Sequence, residues 1–194
     1  VIPTAVDINR YYPQEDKEKE YPKVNLGWLG SPSTINMLKK IDNVFIRLSN
    51  YIDFCLIVVT DFNRCSKINI PKVKVINKQW KAEEELFDLN SFDIGLMPLE
   101  NNERSKGKCS FKALQYMSVG IPCIISNIGN NPEVLDDGVE GYTYKNENEL
   151  IEKIIILSKD KEKRKEMGKK GREKVEKYYA TAIVFKKLFN FIFK

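Results

Sequence analysis

Between Arg104 and Lys112 the chain places four positive charges around a glycine, in the order Arg104-Ser105-Lys106-Gly107-Lys108-Cys109-Ser110-Phe111-Lys112. The following residues read as a helix over 107–119, stopped by Gly120 and Pro122. On such a helix Lys108, Lys112 and Gln115 fall at i, i+4 and i+7 and share one face, with Phe111, Leu114 and Met117 turned to the core. Two lysines beside a helix N-terminus can neutralise a diphosphate. A neutral glutamine can hydrogen-bond sugar hydroxyls. The plainer reading is a solvated basic face. Lysine at the positive end of a helix is electrostatically unfavourable, which modestly favours the functional one.

Two other loops carry similar chemistry. Gly27-Trp28-Leu29-Gly30-Ser31-Pro32-Ser33-Thr34 combines a turn glycine with residues able to cap a helix, and a capped helix N-terminus can bind phosphate. Gly30 and Ser31 are its candidates, although an ordinary helix cap is the commoner meaning of the pattern. Ser126-Asn127-Ile128-Gly129-Asn130-Asn131-Pro132-Glu133 tolerates left-handed backbone angles and exposes N–H groups, with Gly129 and Asn130 the candidates. Glu133 suits the first turn of a helix equally well.

Composition removes whole classes of chemistry. The 194 residues contain no histidine and four cysteines, Cys55, Cys65, Cys109 and Cys123, without a CxxC pair. A zinc site of cysteine and histidine, a Ser-His-Asp triad and a Cys-His pair are therefore not expected. Acid–base work would fall to carboxylates, lysine, tyrosine or the substrate. The cysteines read as the reduced thiols of a cytoplasmic protein. Net charge is +5, which reads as a solvated basic surface or as affinity for phosphate groups or an anionic membrane face. No RNP, KH or helix-turn-helix signature supports nucleic acid as a partner. No apolar run approaches the length of a membrane span. The opening Val1-Ile2-Pro3-Thr4 lacks a methionine, and a fragment of a longer protein is expected.

The elements that must position these loops alternate. Strands are predicted at 24–29, 54–60, 73–76, 93–99, 122–126 and 141–144; helices are predicted at 34–51, 82–89, 107–119, 132–136, 147–158, 161–178 and 180–193. The run Phe54–Thr60 is apolar throughout, as in a strand covered on both faces. Alternating strands and helices make an α/β, doubly wound parallel sheet of Rossmann-like type. Ligands of such sheets sit at the carboxyl ends of the strands, at the switch point of strand order. Residues 1–22, proline-bearing and then charged, read as a linker.

Several stretches, in order, resemble one family: Val1-Ile2-Pro3-Thr4-Ala5-Val6-Asp7, Asp93-Ile94-Gly95-Leu96-Met97-Pro98-Leu99, Tyr116-Met117-Ser118-Val119-Gly120-Ile121-Pro122, Asn131-Pro132-Glu133-Val134 and Asp137-Gly138-Val139-Glu140-Gly141. Together they are similar to the C-terminal domain of retaining GT-B glycosyltransferases of family 4. The resemblance implies the second half of a two-domain enzyme. Residues 1–22 would be the interdomain stretch and 23–178 the domain that binds a nucleoside-diphosphate sugar. Residues 179–194 would form a helix packing on an N-terminal, acceptor-binding domain; a helix on the domain's own core or at a membrane surface is the alternative, given the surplus of phenylalanines.

The same resemblance implies transfer to a polysaccharide or lipid-linked acceptor, no metal or other cofactor, and a cytoplasmic protein that can be peripheral at the inner membrane face. The family's two motif glutamates correspond here to Gly107, which offers only backbone to the donor sugar, and Gln115, which can still bind ribose. The arginine and lysine usual after the first strand are missing, and Lys108 and Lys112 can supply their charge. A subset with a K-C-x-F-K pattern matches Lys108-Cys109-Ser110-Phe111-Lys112, a variant site. The nucleotide base would lie near Ile76, Lys78 and Trp80, where Trp80 either stacks on it or packs in the core. The rival reading is a non-catalytic module of the same fold that binds nucleotides or partners.

Overall fold

The computed structural model describes residues 2–14 and 23–193. Six strands form one parallel sheet in the order β3-β2-β1-β4-β5-β6: β1 Val24–Leu29, β2 Phe54–Thr60, β3 Lys74–Gln79, β4 Ile94–Met97, β5 Cys123–Ser126 and β6 Gly141–Tyr144. Alternate residues of β2 enter different cores. Leu56 and Val58 join Phe45, Leu48 and Ile154 on one side; Cys55, Ile57 and Val59 join Leu89, Leu114 and Val175 on the other. This two-faced burial is why the strand sequences run apolar without alternation.

The first face is covered by α1 (Ile35–Lys39), α2 (Asp42–Leu48) and α7 (Glu147–Lys159). The predicted helix 34–51 is thus two helices. At the junction Ile41 N–H bonds the Leu38 carbonyl and Val44 N–H bonds that of Ile41, i→i−3 contacts in place of the α ladder. The break leaves the predicted apolar face intact, with Ile35, Leu38, Phe45 and Leu48 all buried.

The second face carries α3 (Glu85–Asn90), α5 (Phe111–Ser118), α6 (Asn131–Val134) and α8 (Lys161–Tyr178). Before α5 lies a separate one-turn helix, α4 (Glu103–Lys106). The predicted helix 107–119 therefore starts four residues late. Gly107 is the C-cap of α4, and Ser110 breaks the path with a left-handed φ of 58°. Such an angle costs a non-glycine residue about 1 kcal/mol. Here Ser110 Oγ donates to Asn131 Oδ1 at 2.6 Å, which helps hold the turn.

Residues 2–14 lie against the sheet domain. Val6 exchanges backbone hydrogen bonds with Tyr179 and Thr181, and the Arg172 guanidinium donates to the carbonyls of Tyr11 and Ser118. Residues 15–22, the charged remainder of the predicted linker, lie outside the described residues. The chain closes with α9 (Thr181–Ile192), which buries Val184 and exposes Phe185, Phe189, Phe191 and Ile192. Among the described residues no helix is long and apolar enough to cross a membrane.

The order of strands reverses direction between β1 and β4, and there the sheet parts. β1 and β4 pair only at Leu26↔Ile94 and Gly27↔Gly95. Beyond that point the Tyr116 hydroxyl, fully buried, accepts from Leu29 N–H and donates to the Leu96 carbonyl, each at 3.2 Å. A Cβ on Gly95 would meet the Tyr116 ring at 2.4 Å, so glycine is what lets the ring lie flat on the strand. Tyr116→Phe would leave both backbone groups buried without a partner. We expect it to lower unfolding stability by about 1–3 kcal/mol, read from the urea midpoint at unchanged slope; unaltered stability would show that the hydroxyl does not bridge the strands.

Candidate functional site

Above the parted strands opens a cavity of about 700 Å³. One wall comes from the end of β1 and the turn after it, Leu29–Pro32 and Thr34; the opposite wall is Gly107–Lys112 with Gln115. Trp80 and Glu85 close one end, joined by Arg10 and Tyr11 from the N-terminal segment. This is the carboxyl edge of the sheet at its switch point, where doubly wound sheets hold ligands.

The α5 wall is cationic. Lys112 is half-buried, with its ammonium 5.2 Å from the Trp28 ring centre and 3.4 Å from Thr34 Oγ1. Burial first, and the neighbouring Lys108 second, push its pKa down to about 8. Lys108 is likewise lowered, by burial and then by Arg104. Among the described residues neither lysine has a carboxylate within ion-pair distance. The first backbone N–H groups of α5 also lack intrahelical acceptors. Positive charge thus converges on one wall without its counterion.

Gly30 shapes this wall from below. A Cβ there would meet the Trp28 ring at 2.6 Å and the Lys112 stem at 2.8 Å, so the glycine makes room for the lysine. Its own N–H is bonded to the Val59 carbonyl at 3.0 Å, and so is not free for a phosphate. Ser31 presents its hydroxyl, linked to Ser33 and Thr34.

The far end is organised by a carboxylate. Glu85, buried, accepts from the Tyr11 hydroxyl and from Gln115 Nε2 (3.1 Å) on Oε1, and from the Trp80 indole N–H (2.5 Å) on Oε2. The Arg10 guanidinium lies 3.9 Å away. Burial and the Glu85 contact push the Tyr11 pKa up to about 12, so the phenol stays protonated and donates. Trp80 is 39% exposed and faces the cavity; the core alternative does not describe it.

The sequence candidates therefore divide. Gly30, Ser31, Gly107, Lys108, Lys112, Gln115 and Trp80 come together around the cavity. Ile76 packs into the core of the second face, and Lys78 is drawn to buried Asp88 at 2.5 Å. Gly129 lies behind the site: at φ 58° its Cα backs onto Lys106, whose carbonyl a Cβ would meet at 2.6 Å. Asn130 lines a separate cleft beside Cys109 and Glu133. Lys108 reaches the wall from the loop rather than from the helix, and Phe111, expected in the core, lines the cavity.

Sequence reasoning missed Arg10, Tyr11, Asp61, Arg64 and Glu85, all of which line the cavity. Only Glu85 had a local signal. It stands four residues before buried Leu89, on the inward face of its helix, whereas Glu83 is exposed.

A parallel sheet of this order, covered by helices on both faces, defines a Rossmann-like α/β domain. The family described as glycosyl transferases group 1 matches residues 65–174, and the chain belongs to it. Spore coat protein SA of Bacillus subtilis (strain 168) is 35% identical over 79 residues, 39% of this chain and about a fifth (21%) of that protein.

Among solved structures, the C-terminal domain of a group 1 family glycosyl transferase (LpcC) from Francisella tularensis superposes with a TM-score of 0.69 at 19% identity, covering 91% of this chain and 100% of that one. Alr3699/HepE of Anabaena, in complex with UDP and glucose, gives 0.72 at 14% identity over 97% of this chain and 55% of that one. These likenesses show that the chain has the fold of such domains.

The Lys112 geometry has a consequence for stability. Its folded pKa of about 8 lies below the ordinary lysine value of 10.5 that the unfolded chain keeps. Folding therefore disfavours the charged form: the cost is fully present below about pH 8 and is relieved as pH rises towards 10.5, where the unfolded chain holds more protons. Lys112→Met keeps the stem and removes the charge. It should be more stable than the parent at pH 7 in urea unfolding, with the gap closing above pH 8; a gap that ignores pH would contradict a desolvated ammonium.

Proposed function

We propose that the cavity is the donor site of a glycosyltransferase that binds a nucleoside-diphosphate sugar and transfers the sugar, with retention, to a polysaccharide or lipid-linked acceptor. The observation that carries this reading is the pair Lys108 and Lys112, two partly desolvated cations at the N-terminal end of α5 that have no carboxylate partner among the described residues. A diphosphate would supply the missing counter-charge and accept from the free N–H groups of the first turn.

As the glycosidic bond to the diphosphate breaks, negative charge grows on the departing oxygen. Lysines and backbone N–H groups already aimed at it stabilise that charge without reorganising. Gly107 would contribute backbone alone to the sugar end. Such a site needs no metal ion, because the lysines and helix terminus neutralise the leaving group. The acceptor would be held by an N-terminal domain packing on the exposed phenylalanines of α9, so the 194-residue chain by itself would transfer sugar poorly.

Titrating the chain with UDP, GDP and their sugar conjugates, followed by amide NMR, tests the reading. Shifts should concentrate at 30–34, 80–85 and 107–115, with diphosphates binding more tightly than monophosphates. Lys108→Ala and Lys112→Ala should each weaken binding about tenfold or more, the scale of a charged hydrogen bond. Affinity should decline as pH rises through about 8, where unbound Lys112 loses its proton. A folded chain that binds no nucleotide, or binds nucleoside as well as diphosphate, would favour a non-catalytic module of this fold.

A further inference from the structure

Four donors from three distant parts of the chain surround the Glu85 carboxylate: Tyr11, Arg10, Trp80 and Gln115. The contact with Gln115 has a directional consequence. An ionised carboxylate accepts hydrogen bonds and donates none, so the amide beside it must present its NH₂ group. Gln115 Nε2 is thereby committed to Glu85 Oε1 at 3.1 Å. The amide oxygen is left over. Within the described residues no hydrogen bond occupies Gln115 Oε1, and Gln115 lines the cavity.

We infer that Glu85 is a positioning residue that turns Gln115 into an acceptor for the ribose hydroxyls of the nucleotide. The inference rests on the donor-site reading above. A ribose presents two O–H donors, and an oriented amide oxygen matches them without adding charge. Gln115 lies three residues beyond Lys112 on α5, so both side chains share one face and fall in the order diphosphate, then ribose. The same carboxylate fixes Trp80 by its indole N–H, which leaves the ring face exposed at the ribose end for a base to stack on.

The arrangement also accounts for glutamine at 115. A glutamate there would stand about 3 Å from Glu85, and two carboxylates so close cannot both ionise freely. The negative charge is carried by Glu85, one layer behind the ligand, and a neutral amide relays it.

The test is calorimetric titration of the full chain with UDP, GDP and their 2′,3′-dideoxy forms. The parent should prefer the ribo form of the tighter nucleotide by about tenfold, the scale of one to two hydrogen bonds. Glu85→Gln frees the Gln115 amide to turn and should cut that preference to below about threefold, while the preference for diphosphate over monophosphate stays. Gln115→Glu should lose the ribo preference through repulsion with Glu85.

The double variant Glu85→Gln/Gln115→Glu restores one carboxylate facing one amide and should recover the preference to within about threefold of the parent, a rescue that a merely structural glutamate would not show. An intact ribo preference in Glu85→Gln, or a double variant no better than Gln115→Glu, overturns the inference. Should Glu85→Gln fail to fold, Gln115→Glu decides alone, retention of the ribo preference again overturning it. A parent that binds diphosphates yet ignores the sugar hydroxyls sinks this inference only; a parent that binds no nucleotide sinks the donor-site reading with it.

Discussion

The site exists because β1 and β4 are held apart by one phenol. Continuous pairing would carry the ladder past Gly27↔Gly95 and close the crevice. The Tyr116 hydroxyl instead stands between Leu29 N–H and the Leu96 carbonyl, satisfying both where water would otherwise have to enter a buried seam. The same anchor sets the rotation of α5. Lys112 is four residues before Tyr116 and so lies on the same side of the helix, one turn nearer its N-terminus. Pinning the ring under the sheet therefore puts the lysine over Gly30 at the crevice mouth.

Charge is distributed unevenly along this crevice. The lysine end is positive and desolvated, with no carboxylate partner among the described residues, a state that costs stability. The opposite end is satisfied within the protein, with each oxygen of Glu85 bonded. Arg172 is what brings the second end into being, since its guanidinium ties the Tyr11 carbonyl to the C-terminal end of α5 through Ser118. An arginine on α8 thus delivers two side chains of the N-terminal segment to a pocket built by other elements. Rigid, prepaid geometry at one end and an open charge deficit at the other suit a ligand whose polarity is equally uneven.

The sheet was legible because its strands are buried on both faces and read as apolar runs, and because the loops between them carry glycine, proline and asparagine. The cavity's cationic wall was legible from residue types alone. Geometry was not. The sequence 107–119 reads as one helix because no local rule announces that Ser110 will adopt a left-handed angle, which depends on its bond to Asn131 twenty-one residues on. Lys78 is drawn to buried Asp88, one turn along α3 from Glu85, and so turns away from the cavity. Tyr11 and Arg10 were read as linker because their place depends on Arg172, more than 160 residues away. Each miss is a long-range side-chain contact overriding a local pattern.

The departures from the family's motif are coherent when treated as one change rather than two losses. A glutamate at position 107 would sit beside Lys108 and could answer its charge from within the protein; glycine leaves that charge unanswered there. A glutamate at 115 would face Glu85 and raise the cost of ionising either. With the carboxylate on α3 instead, negative charge lies beside Gln115, at the opposite end of the cavity from the lysine wall. The pocket thus holds both polarities, with the negative one supplied from α3 rather than from α5.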